Sequence, residues 1–218
     1  VKPLVKICGI TRKADALFCA AQGASALGFI FYEASPRFIA PAKAARIIAS
    51  LPPFVTTVGV FVNQRRRDIC RIIEQTGIGA IQLHGDESPE DCEGYPLKTI
   101  KAFRFRLGQS LRPLVKYRVA AALLDGAAGG LYGGSGQLAD FHVALELKKH
   151  FPVILAGGLS PDNIVDAARR VKPYALDVNS GVESAPGKKD HAKVALLFQR
   201  ITEMQDNDRH HRDTENSE

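Results

Sequence analysis

The sequence predicts an α/β fold: one closed barrel of eight parallel strands, each followed by a helix. Three observations carry this. Short apolar runs alternate with helical periodicity along nearly all 218 residues, the pattern of strand–helix units feeding one parallel sheet. Eight such units follow one another without a break in composition, so a single (β/α)8 TIM barrel is favoured over two domains. No G-x-G-x-x-G follows the first run, and the doubly wound open sheet, the alternative, lacks its fingerprint.

Unit one begins at Val5-Lys6-Ile7-Cys8-Gly9-Ile10-Thr11, an apolar run ending in a thiol and a glycine before Thr11 opens a helix. In that helix Leu17, Ala20, Ala21 and Ala24 keep an i, i+3, i+4, i+7 spacing. Strand two covers 26–31, and after a loop over 32–40 Pro41 takes a first helical position. Ala44, Ile47, Ile48 and Leu51 line this helix, and Pro52-Pro53 stops it. The β-branched stretch 56–62 predicts strand three. The helix after it turns Ile69, Ile72 and Ile73 inward and closes around Gly77.

Strand four, 80–83, hands over to His84-Gly85, and Ser88-Pro89-Glu90-Asp91 reads as a helix start. Strand five covers 97–103, and the irregular 104–118 reads as loop plus a short helix. Strand six, 121–124, ends at Asp125, before a glycine-rich loop over 126–136 and a helix over about 140–150. Strand seven, 152–156, ends at Gly157-Gly158, and Ser160-Pro161-Asp162 caps a helix with Ile164, Ala167, Ala168 and Val171 on one face. Strand eight, 175–178, ends at Asn179-Ser180-Gly181, and a last helix from about 190 buries Val194, Leu197, Phe198 and Ile201. Residues 1–204 are thus the expected barrel domain, and 205–218, polar and without core residues, a disordered tail.

With 45% hydrophobic and 24% charged residues, the composition is that of a globular domain with a real core. No apolar run reaches the ~18 residues of a membrane span, and the first residues lack a signal-peptide layout, so no membrane partner is expected. The four cysteines, at 8, 19, 70 and 92, have no CxxC spacing. That argues against a zinc or redox motif and makes a reducing, cytoplasmic setting the simplest reading. The net charge is +6, and the −3 of residues 205–218 leaves +9 on the body. The basic residues are scattered without interleaved aromatics, and Arg65-Arg66-Arg67 reads as a solvated helix face, so no nucleic acid is expected as partner. A small anionic substrate accounts for the positive body.

Chemistry in such barrels gathers at the C-terminal strand ends. Those ends offer Cys8, Arg37, His84, Asp125, Gly157, Gly158, Asn179, Ser180 and Gly181 on one rim. The loops after strands seven and eight predict a phosphate site, because small residues let backbone N–H groups approach the anion. Asp125 follows an apolar strand, where desolvation raises a carboxyl pKa and suits it to give up a proton. Cys8 serves as a base near neutrality only if positive charge or hydrogen bonds stabilise its thiolate; otherwise it is a small buried hydrophobe. Lys6, two residues earlier and on the same face, either supplies that charge or pairs with Asp177 on strand eight. Arg37 presents a fork for a carboxylate or phosphate, and His84 either orients substrate or caps its loop.

Several stretches together resemble one family. They include Lys6-Ile7-Cys8-Gly9-Ile10-Thr11, Leu27-Gly28-Phe29-Ile30-Phe31, Ser35-Pro36-Arg37-Phe38-Ile39, Gly59-Val60-Phe61-Val62-Asn63 and Gln82-Leu83-His84-Gly85. Further along come Leu123-Leu124-Asp125, Gly133-Gly134-Ser135-Gly136, Leu155-Ala156-Gly157-Gly158-Leu159, Asp177-Val178-Asn179-Ser180-Gly181-Val182-Glu183 and Pro186-Gly187-Lys188-Lys189-Asp190. The set is similar to the phosphoribosylanthranilate isomerases of tryptophan biosynthesis. The resemblance implies a cofactor-free Amadori rearrangement of a small phosphorylated aromatic-amine sugar, by a monomer or a homodimer. Carried over by position, Asp125 is the general acid, Cys8 the general base, and Arg37 the holder of the anthranilate carboxylate. The glycine-rich ends of strands seven and eight hold the phosphate. One departure is Ala139-Asp140-Phe141, where the family usually has Phe-Asp-Trp.

Rival readings are a histidine-pathway aminoaldose isomerase, which resembles this one in chemistry but uses an aspartate where Cys8 stands, and an idle binding protein for phosphorylated sugars. Cys8 argues against the first, and Cys8 together with Asp125 against the second.

Overall fold

In the computed structural model, which describes residues 3–104, 111–126 and 141–215, the apolar runs become the staves of a closed barrel. Its strands are β1 (Leu4–Ile7), β2 (Ala26–Ile30), β3 (Thr56–Phe61), β4 (Ala80–Leu83), β5 (Lys98–Arg104), β6 (Ala121–Asp125), β7 (Val153–Leu155) and β8 (Ala175–Val178). Each pairs in parallel with the next, and β1 closes the ring on β8 with Lys6 opposite Asp177. Residues two apart on a strand face the same side. In β6, Ala122 and Leu124 therefore join the core between sheet and helices, while Ala121 and Leu123 fill the lumen with Ala102, Ile154, Ala156 and Ala175. The next residue on the lumen side of β6 is Asp125. Strand period alone thus aims that carboxylate at the barrel mouth. The same reasoning puts Lys6 and then Cys8 on the lumen side of β1, and Gln82 on that of β4.

The helices are α1 (Lys13–Ala21), α2 (Pro41–Ile48), α3 (Arg66–Thr76), α4 (Phe141–Leu147), α5 (Ile164–Val171) and α6 (His191–Glu215). In α5 the expected stripe of Ile164, Ala167, Ala168 and Val171 is buried, as is Val194, Leu197, Phe198 and Ile201 in α6. A fully buried side chain of this kind is worth roughly 1.5–3 kcal/mol. Helix α1 is turned from its expected face. Ala16 and Cys19 are fully buried, whereas Leu17 is 37% exposed. A segment this rich in alanine has too little polarity contrast for its pattern to fix the buried face.

Three further segments differ from expectation. Between β4 and β5 there is only a single 3-10 turn, Glu90–Cys92. Ser88 and Asp91 do cap one another reciprocally, but Gly94 at φ 75° and then Pro96 halt the helix one turn in. Helix α6 continues through Gln205 to Glu215, the stretch read as tail. A helix already nucleated by the packed stripe from Val194 to Met204 extends into polar residues at little cost. After β8, a 3-10 turn (Ser180–Val182) leads into a hairpin of β9 (Glu183–Ala185) and β10 (Lys188–Lys189) that the sequence pattern does not announce. The glycine-rich loop beyond Gly126, with Gly133-Gly134-Ser135-Gly136, and the Ala139-Asp140 departure lie outside the described residues. Among the described residues no helix is long and apolar enough to cross a membrane.

Candidate active site

Of the nine residues the sequence places on the rim, all but Gly181 line one cavity of about 410 Å³ at the C-terminal strand ends. Gly181 contributes from behind. A Cβ there would collide with the carbonyl oxygen of Leu159, so a side-chain-free residue is what lets the loops after β7 and β8 close on each other. Gly157 and Gly158 both have positive φ (81° and 61°). Asn163 pins their loop by accepting from Ser160 N at 2.9 Å and donating to Gly158 O at 2.9 Å. Tyr32, Val60 and Leu159 supply an apolar wall.

Cys8 is 5% exposed and stands among charges. Lys6 Nζ binds Asp177 Oδ2 at 2.7 Å, so of the two alternatives for Lys6 the pairing with Asp177 is realised. The ammonium also acts on the thiol: burial pushes Cys8 up, while the charges of Lys6 and Lys189 pull it back only in part. The net shift of the thiol is therefore upward. For Lys6, burial works against the charge, but Asp177 and Cys8 outweigh it and hold the ammonium above its ordinary value. Gly28 on β2 makes room for this group, since a Cβ there would lie 2.7 Å from Cys8 Sγ and 3.2 Å from Lys6 Cε.

Across the mouth, His84 Nε2 lies 3.3 Å from Asp125 Oδ2, and its Nδ1 is 2.8 Å from Gln82 Nε2. His84 thus bridges Gln82 and Asp125 through its two ring nitrogens. Gln82 and Asp177 both line the cavity, and the buried Oε1 of the one and Oδ1 of the other have no partner among the described residues.

Arg37 is drawn to the rim by Glu183, to which Nη2 donates at 2.7 Å. Glu183 and Lys189 were quoted in the resemblance without a role. No periodicity could single them out, because the hairpin that carries them is too short to show one. Gln82, in the Gln82-Leu83-His84-Gly85 stretch, has no role from sequence either, although it stands two residues before His84 on the same strand face. Among the described residues no group of three or more His, Cys, Asp or Glu could hold a metal ion.

Residues 5–200 match the family model described as N-(5'phosphoribosyl)anthranilate (PRA) isomerase. The chain belongs to this family. PRA isomerases are enzymes of tryptophan biosynthesis. The PRA isomerase of Geobacter metallireducens is 52% identical over 196 residues, covering 90% of this chain and 97% of the relative. Among solved structures, the PRA isomerase of Thermus thermophilus superposes with a TM-score of 0.85 at 42% identity, over 92% of this chain and 99% of the other. Another PRA isomerase, in complex with reduced 1-(o-carboxyphenylamino)-1-deoxyribulose 5-phosphate, gives a TM-score of 0.82 at 38% identity, over 92% and 98%.

Proposed function

We propose that the chain converts N-(5′-phosphoribosyl)anthranilate to 1-(2-carboxyphenylamino)-1-deoxyribulose 5-phosphate, with Asp125 as general acid and Cys8 as general base. The observation that carries this reading is the order of groups around the rim. Cys8 follows β1 and Asp125 ends β6, and β7 and β8, with their glycine-rich loops, stand between them in the ring. A ligand anchored by its phosphate at Gly157, Gly158, Asn179, Ser180 and Gly181 reaches both groups. The compound bound in the related structure has the phosphate, amine and carboxylate that such a cavity would receive.

Asp125 gives its proton to the ribose ring oxygen as the C1′–O bond breaks and the nitrogen lone pair forms a Schiff base. Cys8, as thiolate, takes the C2′ proton; the C–H electrons form C1′=C2′, and those of the imine return to nitrogen. The enolamine then loses its 2′-hydroxyl proton to solvent and gains one from solvent at C1′, giving the ketone, and proton exchange with solvent returns Asp125 to the acid and Cys8 to the thiolate. His84 orients Asp125, and Lys6 and Lys189 lower the cost of the thiolate. Arg37 holds the carboxylate of the anthranilate ring. The four free thiols suit a cytoplasmic, reducing compartment.

The test is turnover of substrate made in place from anthranilate and phosphoribosyl pyrophosphate by an added transferase. Cys8→Ala and Asp125→Asn should each lower turnover by roughly 10²–10⁴-fold while inhibition by inorganic phosphate persists. Near-normal turnover in either variant would overturn the acid–base assignment.

A further inference from the structure

Arg37 enters the cavity from the loop after β2, and its guanidinium is held from one side only. Nε donates to both carboxylate oxygens of Glu183 at 3.0 Å, and Nη2 donates to Oε2 at 2.7 Å. These donors form the side-on edge of the fork. The end-on edge, Nη1 with the second hydrogen of Nη2, has no partner among the described residues. Arg37 lines the cavity and Glu183 does not.

Glu183 is itself fixed. Its side chain is 5% exposed, and Oε1 accepts from Lys189 Nζ at 3.0 Å and from Gly187 N at 3.1 Å. Lys189, with a fully enclosed side chain, also donates to O and Oδ1 of Asn179 at 3.1 Å. Burial alone would raise the Glu183 carboxyl, but the Arg37 hydrogen bonds and the Lys189 charge hold it below its ordinary value. Two cations on one carboxylate leave the trio with a net positive charge. Glu183 therefore fixes Arg37 without cancelling what would attract an anion.

We propose that Glu183 is a positioning residue for the substrate carboxylate: by occupying the side-on edge of Arg37, it presents the end-on edge as two parallel N–H donors to the carboxylate of the anthranilate ring. An unanchored arginine would lose side-chain freedom on binding, and the β9 hairpin removes that cost beforehand. The inference rests on the reading that Arg37 binds this carboxylate.

Two substrates separate the possibilities: N-(5′-phosphoribosyl)anthranilate, and its carboxylate-free analogue from condensation of aniline with ribose 5-phosphate. Glu183→Gln retains shape but turns an amide NH₂ toward cationic donors. Its KM for the carboxylated substrate should rise roughly ten- to thirtyfold, as expected for a lost charged hydrogen bond, with a much smaller change in kcat. For the analogue, KM should stay within about twofold of the parent enzyme on the same scale of effects. Glu183→Asp, which keeps the charge, should recover part of the loss, and it carries the test if the glutamine variant does not fold. Equal effects on both substrates, or none, would overturn the proposal in favour of a purely structural role. Arg37→Ala is run alongside. If it does not discriminate between the substrates, the reading of Arg37 itself falls. If it does and the Glu183 variants do not, only the role of Glu183 is lost.

Discussion

At Cys8 two effects of opposite sign meet, and their order decides how the enzyme responds to pH. Burial raises the thiol, and the cations Lys6 and Lys189 recover only part of that shift. The thiolate is therefore the minor species at neutral pH, and with Cys8 as the proposed base kcat/KM, which reports the free enzyme, should climb with pH beyond neutrality. The midpoint of this limb should lie above the ordinary thiol value of about 8.5. Lys6→Met removes the larger of the two countervailing charges and should move the limb further up. A profile flat from pH 7 to 9, or a limb centred below pH 8, would show that Cys8 is not the group whose ionisation limits the reaction. The Lys6 pairing also shows what a sequence can and cannot decide. Strand period places Lys6 beside Cys8 and register places it beside Asp177, but only the structure shows the ammonium serving both, 2.7 Å from Asp177 while it pulls the thiol down.

At the scale of elements, the proposed phosphate site depends on how closely the loops after β7 and β8 approach. Gly181 permits that approach, and the collision a Cβ would make there is with the Leu159 backbone, which cannot swing aside as a side chain could. Gly181→Ala should therefore part the two loops, raise the inhibition constant of inorganic phosphate at least about tenfold, and cost roughly 1–3 kcal/mol of stability. Unchanged phosphate inhibition would remove these loops from the anion site. The elements that carry this site were legible because long-range order reduces to local pattern in a parallel barrel: each strand end is marked by an apolar run that stops. That is why Cys8, His84, Asp125 and Ser180 could be placed on one rim from sequence, and why they line one cavity. Where pattern is short or weak, legibility fails. The β9–β10 hairpin spans too few residues for a period, so Glu183 and Lys189 gave no signal of their own. The alanines of α1 do not distinguish its faces, and a capped start at Ser88 says nothing of how soon Gly94 will end the helix.

The whole molecule carries a pH signature of its own, because several acidic protons are held by burial rather than by partners. Cys19 is pushed up to about 12 and Cys92 to about 11, in each case first by desolvation; Cys8, Tyr95 and Tyr117 are raised for the same reason. Below about pH 8.5 a thiol is protonated whether the chain is folded or not, and burial exacts no penalty. Above it, the unfolded chain releases protons that the folded chain still binds, so stability falls as pH rises, until the folded thiols titrate in turn near 11 and 12. Lys189, which burial lowers despite Glu183, has the opposite sign and offsets a part. Cys19 is the thiol to test, because it is wholly buried on α1, lies outside the candidate site and is pushed up further than Cys92. Each such thiol contributes a slope of about 1.4 kcal/mol per pH unit within its window. Urea unfolding at pH 8, 9.5 and 10.5 under reducing conditions measures that slope directly. Cys19→Ala should begin somewhat less stable at pH 8, from the small cavity, and then decline less steeply than the parent, so that the two curves converge as pH rises. Parallel curves would mean that the Cys19 proton is not held by burial in the fold.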